Sequence, residues 1–294
     1  MRNDVYQKIT DQIVSSLEKG VRPWHQPWIA ANGEGRIVRP LRGNGVAYQG
    51  INVLMLWSAA IEKGYASPVW MTFKQAQELK AHVRKGEQGS LVVYADKITR
   101  TETDAASGEE NERTIPFMKG YTVFNVAQIE GLPEHYYDKA ETPTNSLNRI
   151  PHAEAYFDPL RDKIVQGGSR ACYIPSTDKI HMPCIDFFDD AVSYYATLAH
   201  EATHWTKAPT RLNRDFDRKK FGDGGYAMEE LVAELGAAFL SADLALTPEL
   251  RDDHAAYIAS WIKVLKDDKR AIFHAASHAQ RAVDFLHNLP TAAR

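Results

Sequence analysis

The chain has 294 residues, 44% of them hydrophobic and 25% charged, with a formal net charge of −3. These are ordinary globular values, with enough length for a real core and for two domains. The longest apolar stretch, residues 53–61, is too short to span a bilayer and contains Ser58, which argues against a membrane protein.

Charge is unevenly placed. Residues 1–100 carry 14 Lys/Arg against 8 Asp/Glu, and residues 101–294 carry 21 against 30. A basic front and an acidic rear suit different partners, and a basic front argues against mimicry of DNA there. Cys172 and Cys184 are expected as thiols of a reducing cytoplasm. The polar, amphipathic start MRNDVYQKITDQIV does not resemble a signal peptide, so a cytoplasmic location is expected.

Val5, Ile9, Ile13, Val14 and Leu17 recur with a helical period before Gly20, predicting an opening helix over 4–19. VRPWHQPW brings two proline turns, and 29–50 is a glycine- and arginine-rich loop. A helix over 51–63 ends at Gly64, WMTF (70–73) begins a strand or helix, and a third helix covers 73–83. Residues 90–97 alternate as a strand, 101–114 reads as a polar loop, and 114–126 completes a hairpin. The polar stretch 136–151 holds two prolines and no core pattern. It places a linker at 136–150, between a front domain (1–135) and a rear domain (151–294). The rear is expected to hold a helix over 152–165, a hairpin over 171–174 and 179–182, and a helix over 190–206. A charged loop over 207–225 then leads to helices over 226–243, 247–266 and 268–288.

Within the 190–206 helix lies His200-Glu201-Ala202-Thr203-His204. Imidazoles four residues apart share one helix face and can grip one ion, with Glu201 beside them as general base. A third ligand must come from another element, and YAMEELVAELGAAFL offers it. Glu230 is preferred because Glu234 stands four residues on, able to orient a ligand imidazole, whereas that offset from Glu229 gives Ala233. Glu229 is the alternative. Such a site takes one divalent ion, zinc first and manganese or another divalent as alternatives, and implies metal-assisted hydrolysis. Tyr226, His181 and Arg211 are weak candidates for the oxyanion. Asp178 reads as a turn residue, and His274/His278, lacking an acidic companion helix, as surface or core histidines.

The front interleaves rings and cations. Arg22, Trp24, Trp28, Arg39, Arg42, Tyr48, Trp70, Lys74, Arg84 and Lys85 are the candidates for binding single-stranded DNA, in which rings stack on bases and cations track phosphates. A core of tryptophans with a solvated arginine face fits the same composition.

Seven stretches carry a family resemblance: YQKITDQIVSSLEKGVRPWHQPW, GVAYQGINVLML, WMTFKQAQELKAHVRKGEQG, YTVFNVAQIEGL, ACYIPSTDKIHMP, LAHEATHW and YAMEELVAELGAAFL. Long and co-linear, they resemble the ArdC-type antirestriction proteins, plasmid-borne relatives of the N-terminal part of TraC-type conjugative primases. The resemblance implies an α+β, two-domain protein. Its N-terminal α+β domain would bind single-stranded DNA, and its mostly helical C-terminal domain, with a small β-sheet, would be a zincin-like metallopeptidase. It implies protection of incoming conjugative DNA from host restriction, with Glu230 as ligand and Glu234 behind it. Two alternatives stand beside this reading. One is a metalloprotease acting on a restriction enzyme or regulatory protein, with the front as substrate binder. The other is a non-enzymatic DNA-sheathing protein with a structural metal.

Overall fold

The computed structural model describes residues 4–24, 38–103, 110–137, 149–217, 223–246 and 255–290. Trp28 with much of the glycine- and arginine-rich loop, most of the expected linker, residues 218–222 of the charged loop, and residues 247–254 of an expected helix lie outside them.

In the front half, α1 (Val5–Glu18) begins where the Asp4 carboxylate accepts from the amides of Tyr6 and Gln7. It buries Ile9, Ile13, Val14 and Leu17 along one face. The second helix, α2 (Ile51–Lys63), is apolar nearly all round and correspondingly buried. It ends on Gly64 at φ 68°, a left-handed cap that a Cβ would strain. A four-stranded sheet runs in the order β1 (Leu41–Arg42), β2 (Val69–Met71), β5 (Glu110–Asn125), β4 (Ser90–Thr103), with only β1 and β2 parallel.

Two front-half expectations are corrected. The third helix stops early: α3 (Phe73–Glu78) gives way to Lys80 at φ 60°, and the chain leaves as β3 (His82–Val83), paired with β6 (Ile129–Glu130). That left-handed residue turns the chain so that Ala81 enters the core. The hairpin is also longer than expected, its register running from Ser90↔Val123 out to Thr103↔Glu110. Threonine and isoleucine suit an extended backbone whatever the polarity of their neighbours.

In the rear half, α4 (Pro151–Phe157) covers only part of the helix expected over 152–165. Pro159 has no amide to donate, so the chain tightens into a 3-10 turn (Asp158–Lys163) and departs as β7 (Ile164–Gln166). This strand runs parallel to β9 (Lys179–Met182), whose other side pairs antiparallel with β8 (Cys172–Ile174). The sheet order is β7-β9-β8, leaving β8 at an edge. Four helices follow: α5 (Ala191–Trp205), α6 (Gly224–Asp243), α7 (Ala255–Asp267) and α8 (Ala271–His287). Asp190 and Asp223 cap the first two by accepting from the amides of Ser193 and Tyr226. Helices α5 and α6 approach closely at Gly236, where an added Cβ would stand 2.6 Å from the Thr203 side chain. No helix among the described residues is long and apolar enough to cross a membrane.

The architecture is α+β in two parts, but the parts share a core. Thr10 Oγ1 donates to the Lys269 carbonyl at 2.7 Å. The Tyr6 ring lies 4.7 Å from Phe273, and Trp24 and Trp57 lie 6.0 Å from Trp261 and Phe239. Front-half and rear-half residues belong to one continuous apolar cluster.

Candidate metal centre

The i,i+4 spacing sets His200 and His204 on one face of α5, their ring centroids 4.8 Å apart. Facing them from α6, Glu230 Oε2 lies 3.7 Å from His200 Nε2, and its Oε1 lies 3.6 Å from His204 Nε2. One ligand atom from each of these three residues lies within 4.8 Å of the others. Two ligands at about 2.1 Å from one tetrahedral ion stand about 3.4 Å apart. The two histidine–glutamate distances therefore match a donor set closing on a single cation.

Behind the rings, the two histidines are supported differently. His204 Nδ1 is 2.9 Å from Glu229 Oε1, and Glu229 is gripped by Arg214, whose Nε reaches Oε2 at 2.8 Å and Nη2 reaches Oε1 at 2.9 Å. Arg214 also donates to the Thr203 carbonyl and the Thr206 hydroxyl. His200 Nδ1 faces Glu234 Oε2 at 3.8 Å, and Glu234 Oε1 takes a bond from Arg22 Nη1 at 3.1 Å. Glu229 is thus committed behind His204 and not presented to the ion position, which corrects it as the alternative ligand. Burial pushes the Glu230 carboxyl upward, but hydrogen bonds from His200 and His204 prevail and hold it well below the usual range. Burial likewise disfavours a charged His204, yet Glu229 and Glu230 overcome it and raise the ring to about 9.

Glu201 is buried on the same helix, and its Oε2 accepts from the Tyr173 amide of edge strand β8 at 2.8 Å. Tyr226, one turn before Glu230, has its hydroxyl 3.1 Å from that of Tyr257. Its acidity is lowered by burial first, then by hydrogen bonds to Tyr257 and Glu230. The other two oxyanion candidates are placed less favourably. Arg211 donates to the Trp205 carbonyl, Asp178 and the Tyr173 hydroxyl, and its guanidinium lies 3.9 Å from the centre of the Trp205 ring, leaving it committed to structure. His181 pairs in register with Cys172 from β9, one strand removed from the edge. His278 rests against Phe216 at 5.0 Å and Arg281 at 2.7 Å, in keeping with a structural histidine. Cys172 and Cys184 are free thiols.

The front candidates divide sharply. Trp24, Tyr48 and Trp70 are core residues at 2%, 3% and 1% exposure. A ring with no open face cannot stack on a base, which corrects their assignment. Arg22 and Arg39 are buried too: Arg39 bonds Asp243 and Gln280 and lies over Phe239. Arg42, Lys74, Arg84 and Lys85 are exposed, with Lys74 and Arg84 paired to Glu78 and Glu87. Composition concealed Arg214, whose only sequence signal is an arginine in a loop. It also missed the ring of Tyr94, about half exposed (51%), and did not single out Phe73 (50%) from the buried rings around it.

A helix bearing His-Glu-x-x-His opposite a second acidic helix, beside a small sheet whose edge strand meets Glu201, defines the class. Residues 151–278 match the zincin-like metallopeptidase family, and residues 3–124 match the N-terminal domain of anti-restriction factor ArdC. A metal-free crystal structure of antirestriction protein ArdC from plasmid R388 superposes with TM-score 0.81 at 48% identity, over 96% of each chain. The Mn(II)-bound structure of that protein gives 0.80 at 44%, over 99% of this chain and 100% of that one. The chain belongs to the ArdC antirestriction family. It is also 44% identical to uncharacterized protein y4eC of Sinorhizobium fredii, over 97% of this chain and 92% of that one. Two DNA primase TraC proteins of Escherichia coli are 35% identical over 97% and 96% of this chain, which spans only 27% and 20% of their lengths.

Proposed function

We propose that this chain protects incoming conjugative DNA from restriction by binding single-stranded DNA through its front half. We further propose that the rear half carries a one-metal peptidase site. The observation that carries the second part is the convergence of His200, His204 and Glu230 beside Glu201. A relative of 44% identity crystallised with Mn(II) supports a divalent ion, zinc or manganese.

His200, His204 and Glu230 would hold the ion, with Glu229 and Glu234 orienting the two rings. Bound there, a divalent ion supplies Lewis acidity toward water and a carbonyl. Glu201 accepts the proton of the attacking water and delivers it to the leaving amine. The Tyr173 amide fixes the Glu201 carboxylate beside edge strand β8, the element that would border a bound peptide. Of the three oxyanion candidates, Tyr226 is the one favoured, because its hydroxyl interacts with Glu230 as well as with Tyr257.

For the front half, primase relatives and the exposed cations Arg42, Lys74, Arg84 and Lys85 support DNA binding. Among the described residues, Phe73 and Tyr94, each about half exposed, are the candidate stacking rings of the front half. Oligonucleotide titrations at several salt concentrations test it. Alanine at all four cations is expected to weaken single-strand binding and flatten the log–log salt slope by up to about 3. An unchanged slope would remove these residues from the interface. For the rear, Glu201→Gln is expected to lower peptide hydrolysis by about 10²–10⁴-fold. Restriction protection by the same variant separates the two activities: full protection would mean that antirestriction rests on DNA binding or sheathing alone.

A further inference from the structure

The segment VRPW, which leads out of α1, ends against the rear half at the metal centre. Arg22 and Glu234 form a salt bridge with side chains only 7% and 3% exposed. Two residues on, Trp24 packs against Trp261, whose ring stacks with Tyr257 at 6.1 Å, and Tyr257 meets the Tyr226 hydroxyl beside Glu230. Further along the same helix, Arg39 clamps Asp243 and covers Phe239. The helix that presents Glu230 is therefore gripped by arginines of the front half at two levels.

The two imidazoles also differ in who supports them. The carboxylate behind His204 is held by Arg214, from the rear half itself. The carboxylate behind His200 is held by Arg22, 212 residues away in sequence. We propose that Arg22 is a positioning residue of the metal centre: it fixes Glu234 behind His200, so that the affinity of the rear half for its ion depends on the front half being docked. Loss of that cation breaks the buried ion pair that holds the Glu234 carboxylate toward His200, and weakens its hold on the ring's orientation. Metal binding and docking of the 21–24 segment are then reciprocally coupled.

The inference rests on the assignment of His200, His204 and Glu230 as ligands, and titration of the metal-free full-length protein with Mn(II) and with Zn(II) tests both. Arg22→Met is expected to weaken ion binding about 10–100-fold, the range found when groups supporting a ligand histidine are lost. Arg22→Lys, which keeps the cation, should recover most of that affinity. Glu234→Gln leaves Arg22 in place and should cost a similar factor. The double variant should lose little more than either single one, since both changes act on one interaction. Arg39→Met, which loosens α6 away from the ions' ligands, is the control. It should lower thermal stability and leave ion affinity within about twofold. Equal affinity of Arg22→Met and wild type, factors that multiply in the double variant, or an equal loss in Arg39→Met would each overturn the positioning role. Undiminished binding by His200→Ala would instead overturn the ligand assignment, and this inference with it.

Discussion

His200 and His204 are the same residue type on the same helix, yet their environments assign them different neighbours. Glu229 sits 2.9 Å from one ring, and Glu234 sits 3.8 Å from the other. Supporting residues of this kind decide which imidazole nitrogen faces the ion. A comparable logic operates at Asp178, whose φ of 53° marks a tight turn and whose carboxylate gathers Arg211, Lys163 and the Tyr173 hydroxyl. Chiefly through Arg211, these partners hold its pKa well below the usual carboxylate range, against the opposing effect of burial. The folded-state value is depressed, so the stabilisation is complete above the unfolded value near 3.8 and is lost as pH falls below it. Asp178→Asn keeps the shape and tolerates a left-handed turn. Because the carboxylate is about a third exposed (34%), solvent screening limits the cost to about 1 kcal/mol at pH 7. Urea unfolding of both proteins should show that difference at pH 7 and its progressive decrease as pH falls below 3.8 towards the depressed folded-state value. A difference that does not shrink as the pH is lowered would attribute the loss to the turn and not to charge.

At the level of elements, the site is made by the contact of α5 with α6, and that contact depends on Gly236. In an isolated helix, alanine in place of glycine is worth about 1 kcal/mol of added stability. Here the methyl would meet Thr203 Oγ1 and Cγ2 at 2.6 Å, and Thr203 is tied to the Ala199 carbonyl, so it cannot swing aside cheaply. Gly236→Ala is therefore expected to destabilise by about 1–3 kcal/mol and to weaken ion binding as Glu230 is levered away from the two rings. Thermal melts and metal titrations of this variant check both; a stabilised protein with unchanged affinity would show that the helix contact has slack. The sequence could not announce this glycine, which reads as a poor helix former. It did announce the histidine pair, Glu201 and the preference for Glu230, because those follow from spacing along one helix face. Helices α1, α2, α5, α6 and α8 and the β8–β9 hairpin were legible for the same reason, being periodic and capped or bounded by turns. The end of α3, the strand β7 and the long hairpin were not, since a left-handed Lys80, a 3-10 turn at Pro159 and cross-strand pairing are decided by tertiary fit. Buried Trp24 and Trp70 misled for a related reason: a composition of rings and cations does not say which side of the surface each ring takes.

On the scale of the whole molecule, a boundary that is clear in sequence is bridged in three dimensions. Family matches end at 124 and resume at 151, but α1 lies against the rear helices. Asp4 and Glu18 reach Lys269 and Lys266 at either end of it, and Tyr6 covers Phe273 between them. Exposed ion pairs of this kind add little. The apolar contacts matter more, because separating the halves would expose Ile13, Leu17, Trp24, Trp261 and Phe273 together. Two units that share a core to this extent should unfold as one. Calorimetry of the metal-free protein is thus expected to give a single transition, coincident with the change in tryptophan fluorescence from Trp24 and Trp57 in front and Trp205 and Trp261 behind. Saturating Mn(II) should then move that whole transition upward. At a free ion concentration one hundred times the dissociation constant, the gain is about 2.7 kcal/mol. Hydrogen exchange locates the effect: amides of α1 and α2, far in sequence from the ligands, should gain protection alongside those of α5 and α6. Two separate transitions, with only the rear one responding to the ion, would mean that the shared core does not couple the halves, and that each behaves as an independent domain despite the contacts between them.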